Sequence, residues 1–138
     1  MKKTLALSVT ALALAAAGCG GNDDSEETVE AEAAASPSEA IAEIAEVRAG
    51  LGEGLAAYRK GDADEAEQLV GTAYLEHFEL VEAPLEERDA ELNEELEVLI
   101  STTIRDAIKA GEPENEVAGL VQEANKGLDQ AETELERG

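Results

Sequence analysis

The sequence predicts an all-α protein, an antiparallel four-helix bundle of up-down-up-down topology that follows a signal peptide and a flexible acidic linker. Three observations predict it. Apolar residues recur at spacings of three and four across residues 37–138, and no segment alternates with period two over a useful length. Short connections carrying Gly, Pro and N-capping residues separate the periodic runs, the pattern of helices packed beside their neighbours in the chain.

Residues 1–18 read as a lipoprotein signal peptide. Lys2 and Lys3 precede a mostly apolar run from Leu5 to Ala17, which ends in Ala16-Ala17-Gly18-Cys19. That run is shorter than the roughly 20 apolar residues of a permanent membrane span. Ala16 occupies the position where Leu is commonest in such cleavage sites. Cleavage before Cys19 leaves a first residue for lipidation; it is the sole cysteine, so an internal disulfide is excluded. One acyl chain holds a membrane only marginally, so a lasting anchor takes more than one. The expected location is the cell envelope, on the extracytoplasmic side, anchored to a membrane through lipid.

Residues 19–36 are the linker. Gly20-Gly21-Asn22-Asp23-Asp24-Ser25-Glu26-Glu27 leads into an Ala/Glu-rich stretch whose only sizeable apolar residue is Val29. Such a composition buries too little surface to offset the entropy of ordering it.

Residues 37–138 form the helical domain, close to the ~100 residues of a small domain with a single core. Its first helix starts at Ser36 as N-cap, with Pro37 at the first helical position and Glu39 completing a capping box. Ile41, Ile44, Leu51, Leu55 and Tyr58 supply the apolar side, and Gly61 ends the helix. Gly50, Gly52 and Gly54 each cost up to about 1 kcal/mol relative to Ala, which predicts a kink or break there. A second capping box, Asp62 with Glu65, opens helix two, with Leu69, Val70, Ala73, Tyr74, Phe78, Val81 and Leu85 as its stripe; Pro84 is expected to end or kink it. Helix three starts after Asp89, buries Leu92, Leu96, Leu99, Ile100, Ile104 and Ile108, and stops at Gly111. Helix four opens on Glu112-Pro113 and buries Val117, Leu120, Val121, Ala124, Leu128 and Leu135.

Lys and Arg number 10 against 33 Asp and Glu, a formal charge of −23, and loss of Lys2 and Lys3 with the leader makes the balance more acidic still. Nucleic acid is excluded as a partner, because phosphate contacts need clustered basic residues. Anionic lipid surfaces repel the domain, so contact with the membrane falls to the anchor. Attraction of cations and adaptation to a saline habitat both account for such acidity.

From Leu55 the chain runs Leu55-Ala56-Ala57-Tyr58-Arg59-Lys60-Gly61-Asp62. Further on come Ala73-Tyr74-Leu75-Glu76-His77-Phe78-Glu79-Leu80-Val81-Glu82, Ile104-Arg105-Asp106-Ala107-Ile108-Lys109-Ala110-Gly111, Glu116-Val117 and Ala131-Glu132. This resembles the extracytoplasmic helical domain that precedes the membrane part of bacterial high-affinity iron permeases, the oxidase-dependent iron transporter family. The likeness covers about residues 55–136, and its most specific piece is the Ala-Tyr-Leu-x-x-Phe-Glu-x-x-Glu stretch at 73–82. The permeases also carry several membrane spans and an Arg-Glu-Gly-Leu-Glu motif that handles the ion; neither follows Cys19 in this sequence. The resemblance therefore implies a free-standing, lipid-anchored version of the accessory domain, presenting or sensing iron beside an iron permease.

Glu79 and Glu82 lie three apart and Glu86 four further on, so they share one face of helix two beside Phe78. Like charges at this spacing weaken a helix by a few tenths of a kcal/mol per pair, and a bound cation reverses the sign. Carboxylate oxygens suit Fe(III), Ca²⁺ and Mg²⁺. Glu94 and Glu97 of helix three complete the candidate set if helices two and three are antiparallel neighbours, and His77, beside Phe78, is a further candidate ligand. A solvated helix face is the alternative reading of these acids.

Catalytic patterns are missing from the sequence. A di-iron carboxylate bundle places Glu three residues before His on two helices, whereas position 74 is Tyr and His77 is the only histidine. No phosphate loop, dinucleotide-binding glycine pattern or His-Glu-x-x-His motif is present. The sequence thus predicts a non-enzymatic lipoprotein that binds iron or another hard cation and assists iron uptake. The alternative is a structural or interaction lipoprotein that docks another envelope protein, has no metal site, and is acidic through adaptation to salt.

Overall fold

The computed structural model describes residues 35–137, an all-α four-helix bundle with no strand among those residues. Cys19, the expected leader 1–18 and the expected linker up to residue 34 lie outside the described residues. No helix among the described residues is long and apolar enough to cross a membrane.

Helix α1 spans Pro37–Arg59. Its start is a full capping box: Glu39 N–H donates to Ser36 Oγ, and Ser36 N–H donates to Glu39 Oε2 at 2.8 Å. Its end is a Schellman closure, in which Asp62 N–H reaches Ala57 O at 3.1 Å and Gly61 N–H reaches Tyr58 O at 2.9 Å, with Gly61 at φ 85°.

Helix α2 runs 63–86 in three parts: α-helical Ala63–Thr72, a π-helical turn Ala73–Phe78 and α-helical Glu79–Glu86. Asp62 Oδ1 accepts Glu65 N–H at 3.0 Å. Pro84 sits inside the last part, and the helix continues two residues beyond it. The missing N–H there affects only the final turn of the helix, which ends at Glu86.

Helix α3 runs 90–110, with α-helical Ala90–Val98, a π-helical turn Leu99–Thr103 and α-helical Ile104–Ala110. Asp89 Oδ1 caps it through Leu92 N–H at 3.0 Å, and Gly111 at φ 71° closes it. Helix α4 spans Glu114–Glu136.

The two π-helical turns have a readable cause. Buried positions on α2 step by four and three through Ala66, Val70 and Ala73, then jump five to Phe78 before resuming at Val81 and Leu85. On α3 the buried residues Leu92, Leu96, Ile100, Ile104 and Ile108 repeat every four. A four-residue step on a 3.6-residue helix drifts about 40° each time, so the row would wind off the core. A wider turn absorbs the drift and returns both rows to the core.

The core is aliphatic, with Phe78 the largest fully buried side chain among the described residues. Helix α1 packs most closely on α2, and the reason is its glycines. A Cβ at Gly50 would lie 2.7 Å from Ala73 Cβ, and one at Gly54 would lie 2.8 Å from Val70 Cγ2 and 3.2 Å from Ala66 O. The break expected at Gly50–Gly54 is therefore absent, and α1 is one α-helix through all three glycines. Contact with α2 holds α1 continuous, and two of its three glycines are the small residues that allow that contact.

Among the described residues, ion pairs close two of the four seams between neighbouring helices, and a histidine–carboxylate contact closes a third. Arg48 binds Asp129 and Glu132 at 2.6 and 3.0 Å, and Arg59 binds Glu114 at 2.8 Å, across α1 and α4. Glu67 on α2 takes Arg105 and Lys109 of α3, which together hold its carboxyl below the ordinary carboxylate range. Glu43 of α1 meets His77 of α2.

Candidate functional site

Glu79 and Glu82 of the 73–82 stretch gather along the seam between α2 and α3, around Tyr74. The π-helical turn places Tyr74 against Phe78, with ring centroids 6.0 Å apart. From there Tyr74 Oη donates to Glu82 Oε1 at 3.0 Å. Burial and the neighbouring carboxylate of Glu82, with Glu97 and Glu79 behind it, push the Tyr74 hydroxyl up to about 12.

Glu82 is half-buried, and that burial raises its carboxyl above the usual value. Tyr74's hydrogen bond works in the opposite direction, while Glu97, Glu79 and Glu86 raise it further by like-charge repulsion. The groups acting on Glu82 include no cation. This seam thus concentrates negative potential on one partly desolvated carboxylate.

The structure divides the sequence-predicted set among three faces. Glu79, Glu82 and Glu86 of α2 act together with Glu97 of α3, as antiparallel neighbours should. His77 turns to the opposite side of α2, where its Nδ1 lies 2.7 Å from Glu43 Oε2 on α1. Glu94 lies along the seam between α3 and α4. Among the described residues no three His, Cys, Asp or Glu side chains are grouped closely enough to hold a metal ion. The six candidates are therefore not one assembled ligand set, because they face different neighbours: Glu79, Glu82, Glu86 and Glu97 the α2–α3 seam, His77 α1, and Glu94 α4.

Two residues of this region escaped the sequence reading. The sequence places Tyr74 in the apolar stripe and in the 73–82 stretch but not among the site residues, although the five-residue jump from Ala73 to Phe78 marks the wide turn that redirects it. Asn93 is 8 % exposed, and its Oδ1 is buried without a hydrogen-bond partner. It stands three residues before Leu96 and four before Glu97, on the side of α3 that holds both.

Compared with family models, curated proteins and solved structures, the chain gives no match.

Proposed function

We propose that this protein is a lipid-anchored, extracytoplasmic and non-enzymatic accessory domain that takes a hard cation, iron foremost, along the α2–α3 seam beside an iron permease. The observation that carries the reading is the half-buried Glu82, pressed by Glu97, Glu79 and Glu86, with no basic group among the described residues acting on it. A multivalent cation there converts three repulsions into attractions and needs only oxygen donors, which the seam supplies. The likeness of residues 73–82 to the iron-permease domain supports iron, and the order of Lys2, Lys3, the apolar run and Cys19 supports the anchor.

The side chains stand apart in the structure, so binding draws the exposed Glu79 and Glu86 inward toward Glu82 and Glu97. Ligand-linked stabilisation follows, growing as RT ln(1 + [L]/Kd). The test is thermal unfolding of the chain with Fe(III)-citrate, Ca²⁺, Mg²⁺ and NaCl at matched ionic strength. Saturable stabilisation by one metal, lost in Glu79→Gln/Glu82→Gln, upholds the site. An equal response to every salt leaves a polyanionic domain and removes the iron reading.

A further inference from the structure

The seam between α3 and α4 differs from the other three. No ion pair and no side-chain hydrogen bond crosses it among the described residues. In their place is an open groove of about 820 Å³. Its floor is apolar: Leu92 and Leu96 lie beneath, Leu99 and Leu120 are half-buried, and Val98 is 51 % exposed. Leu96 can lie so close to α4 because Gly127 stands opposite, where a Cβ would come within 2.7 Å of Leu96 Cδ2. Both rims are acidic, with Glu91, Glu94 and Glu95 on α3 and Glu123 on α4, none of them in an ion pair. Lys126 is the one basic residue along the groove.

We propose that this groove docks one helical segment of a partner protein, an amphipathic helix whose apolar stripe is flanked by Lys and Arg. Charge complementarity selects that occupant. An apolar stripe at i, i+3, i+4 and i+7 covers Val98, Leu99 and Leu120, and the flanking cations meet carboxylates that are in no ion pair among the described residues. A second copy of the chain brings −23 of its own and is repelled. Anionic lipid head groups and fatty acids carry the same sign as the rims, and a zwitterionic head group offers no net positive charge to them. An extended peptide needs a sheet edge, which an all-α bundle lacks. This surface lies on the other side of α3 from Glu82, so it stands independently of the cation reading.

The experiment titrates the full chain, with chelator present, with a synthetic peptide of about 18 residues, five helical turns, bearing Leu at i, i+3, i+4 and i+7 and Lys elsewhere. A scrambled peptide of equal composition is the comparison. The expected result is saturable 1:1 binding with amide shifts centred on Val98, Leu99, Leu120 and Gly127. Val98→Lys and Glu94→Lys/Glu95→Lys/Glu123→Lys each weaken it at least about tenfold. The exposed control reversal Glu46→Lys/Glu53→Lys/Glu136→Lys leaves it within about threefold. Equal binding of the scrambled peptide, or equal loss in the control reversal, reduces the effect to general polyanion attraction and overturns the proposal. A dimer that Val98→Lys dissociates gives the groove to a second copy and overturns it as well.

Discussion

Tyr74 and Glu82 are joined by a 3.0 Å hydrogen bond across eight positions of α2, in which the phenol donates to the carboxylate. The two are tied to different neighbours: Tyr74 stacks on Phe78 at the edge of the core, and Glu82 feels Glu97 of α3. A local choice of helix geometry, the π-helical turn, thereby orients the acidic seam.

Glu82 should make the domain more stable in mild acid. Its folded pKa is raised, so between the ordinary 4.5 and that raised value the native state holds a proton the unfolded chain has released. Its contribution is fully present below the unfolded pKa and is lost as pH rises through the folded one. Glu82→Gln keeps an acceptor for Tyr74 and removes repulsion with Glu79 and Glu86, about 0.2–0.5 kcal/mol per pair. Melting curves from pH 4 to 7 should show the variant more stable than the parent at pH 7 and less pH-dependent. A less stable variant at pH 7 would contradict this account of the seam.

The three glycines of α1 should separate under substitution. Alanine at Gly52 meets nothing within 4 Å and should stabilise by up to about 1 kcal/mol, the intrinsic helix preference. At Gly50 and Gly54 the new methyl lies under 3.0 Å from Ala73 Cβ and Val70 Cγ2, and overpacking of about 1–3 kcal/mol outweighs the preference. Urea unfolding of the single variants reads the sign directly. Stabilisation by all three substitutions would mean that α1 and α2 are not in close contact.

Much of this bundle was legible in local pattern. Ser36 with Glu39, Asp62 and Gly61 mark helix ends through contacts within a few residues, and apolar spacing marks the buried faces from Ile44 to Leu135. Gly50 and Gly54 misled because their helix cost is local, whereas the Ala73 and Val70 side chains that require them are about 16 to 23 residues away. The position of His77 is not legible locally either, since its partner Glu43 belongs to another helix. Glu94 and Glu97 are only about 60° apart around α3, yet that suffices to direct them to different seams.

Glu67 should govern a pH response of opposite sign to that of Glu82. Arg105 and then Lys109 lower its folded pKa, so its contribution is present above the ordinary 4.5 and is lost as pH falls through the depressed value. Glu67→Gln should reduce stability at pH 7 and shrink the loss seen below pH 4.5. Thermal melts of Glu67→Gln, Arg105→Gln and the double variant, repeated at low and high salt, measure the coupling. Additive single effects would show that the pair contributes nothing to the α2–α3 seam.

Asn93 is the place where the core should gain most from one substitution. Its Oδ1 is buried without a partner, and a buried acceptor left unmade costs about 1–3 kcal/mol. Leucine removes that acceptor and adds apolar surface between Leu92 and Leu96, two residues already in the core. Leucine keeps the four-heavy-atom, branched shape of asparagine, and although its methyls are bulkier than the amide oxygen and nitrogen, removal of the buried acceptor outweighs the cost of the added volume. Asn93→Leu should therefore stabilise by about 1 kcal/mol or more in chemical unfolding at unchanged m-value. Asn93→Asp should destabilise strongly, because it puts a further charge beside Glu97 on a helix whose facing neighbour already carries Glu82. If Asn93→Leu instead lowers the midpoint, the amide oxygen is satisfied in solution, and a bridging water detected at that position identifies the donor.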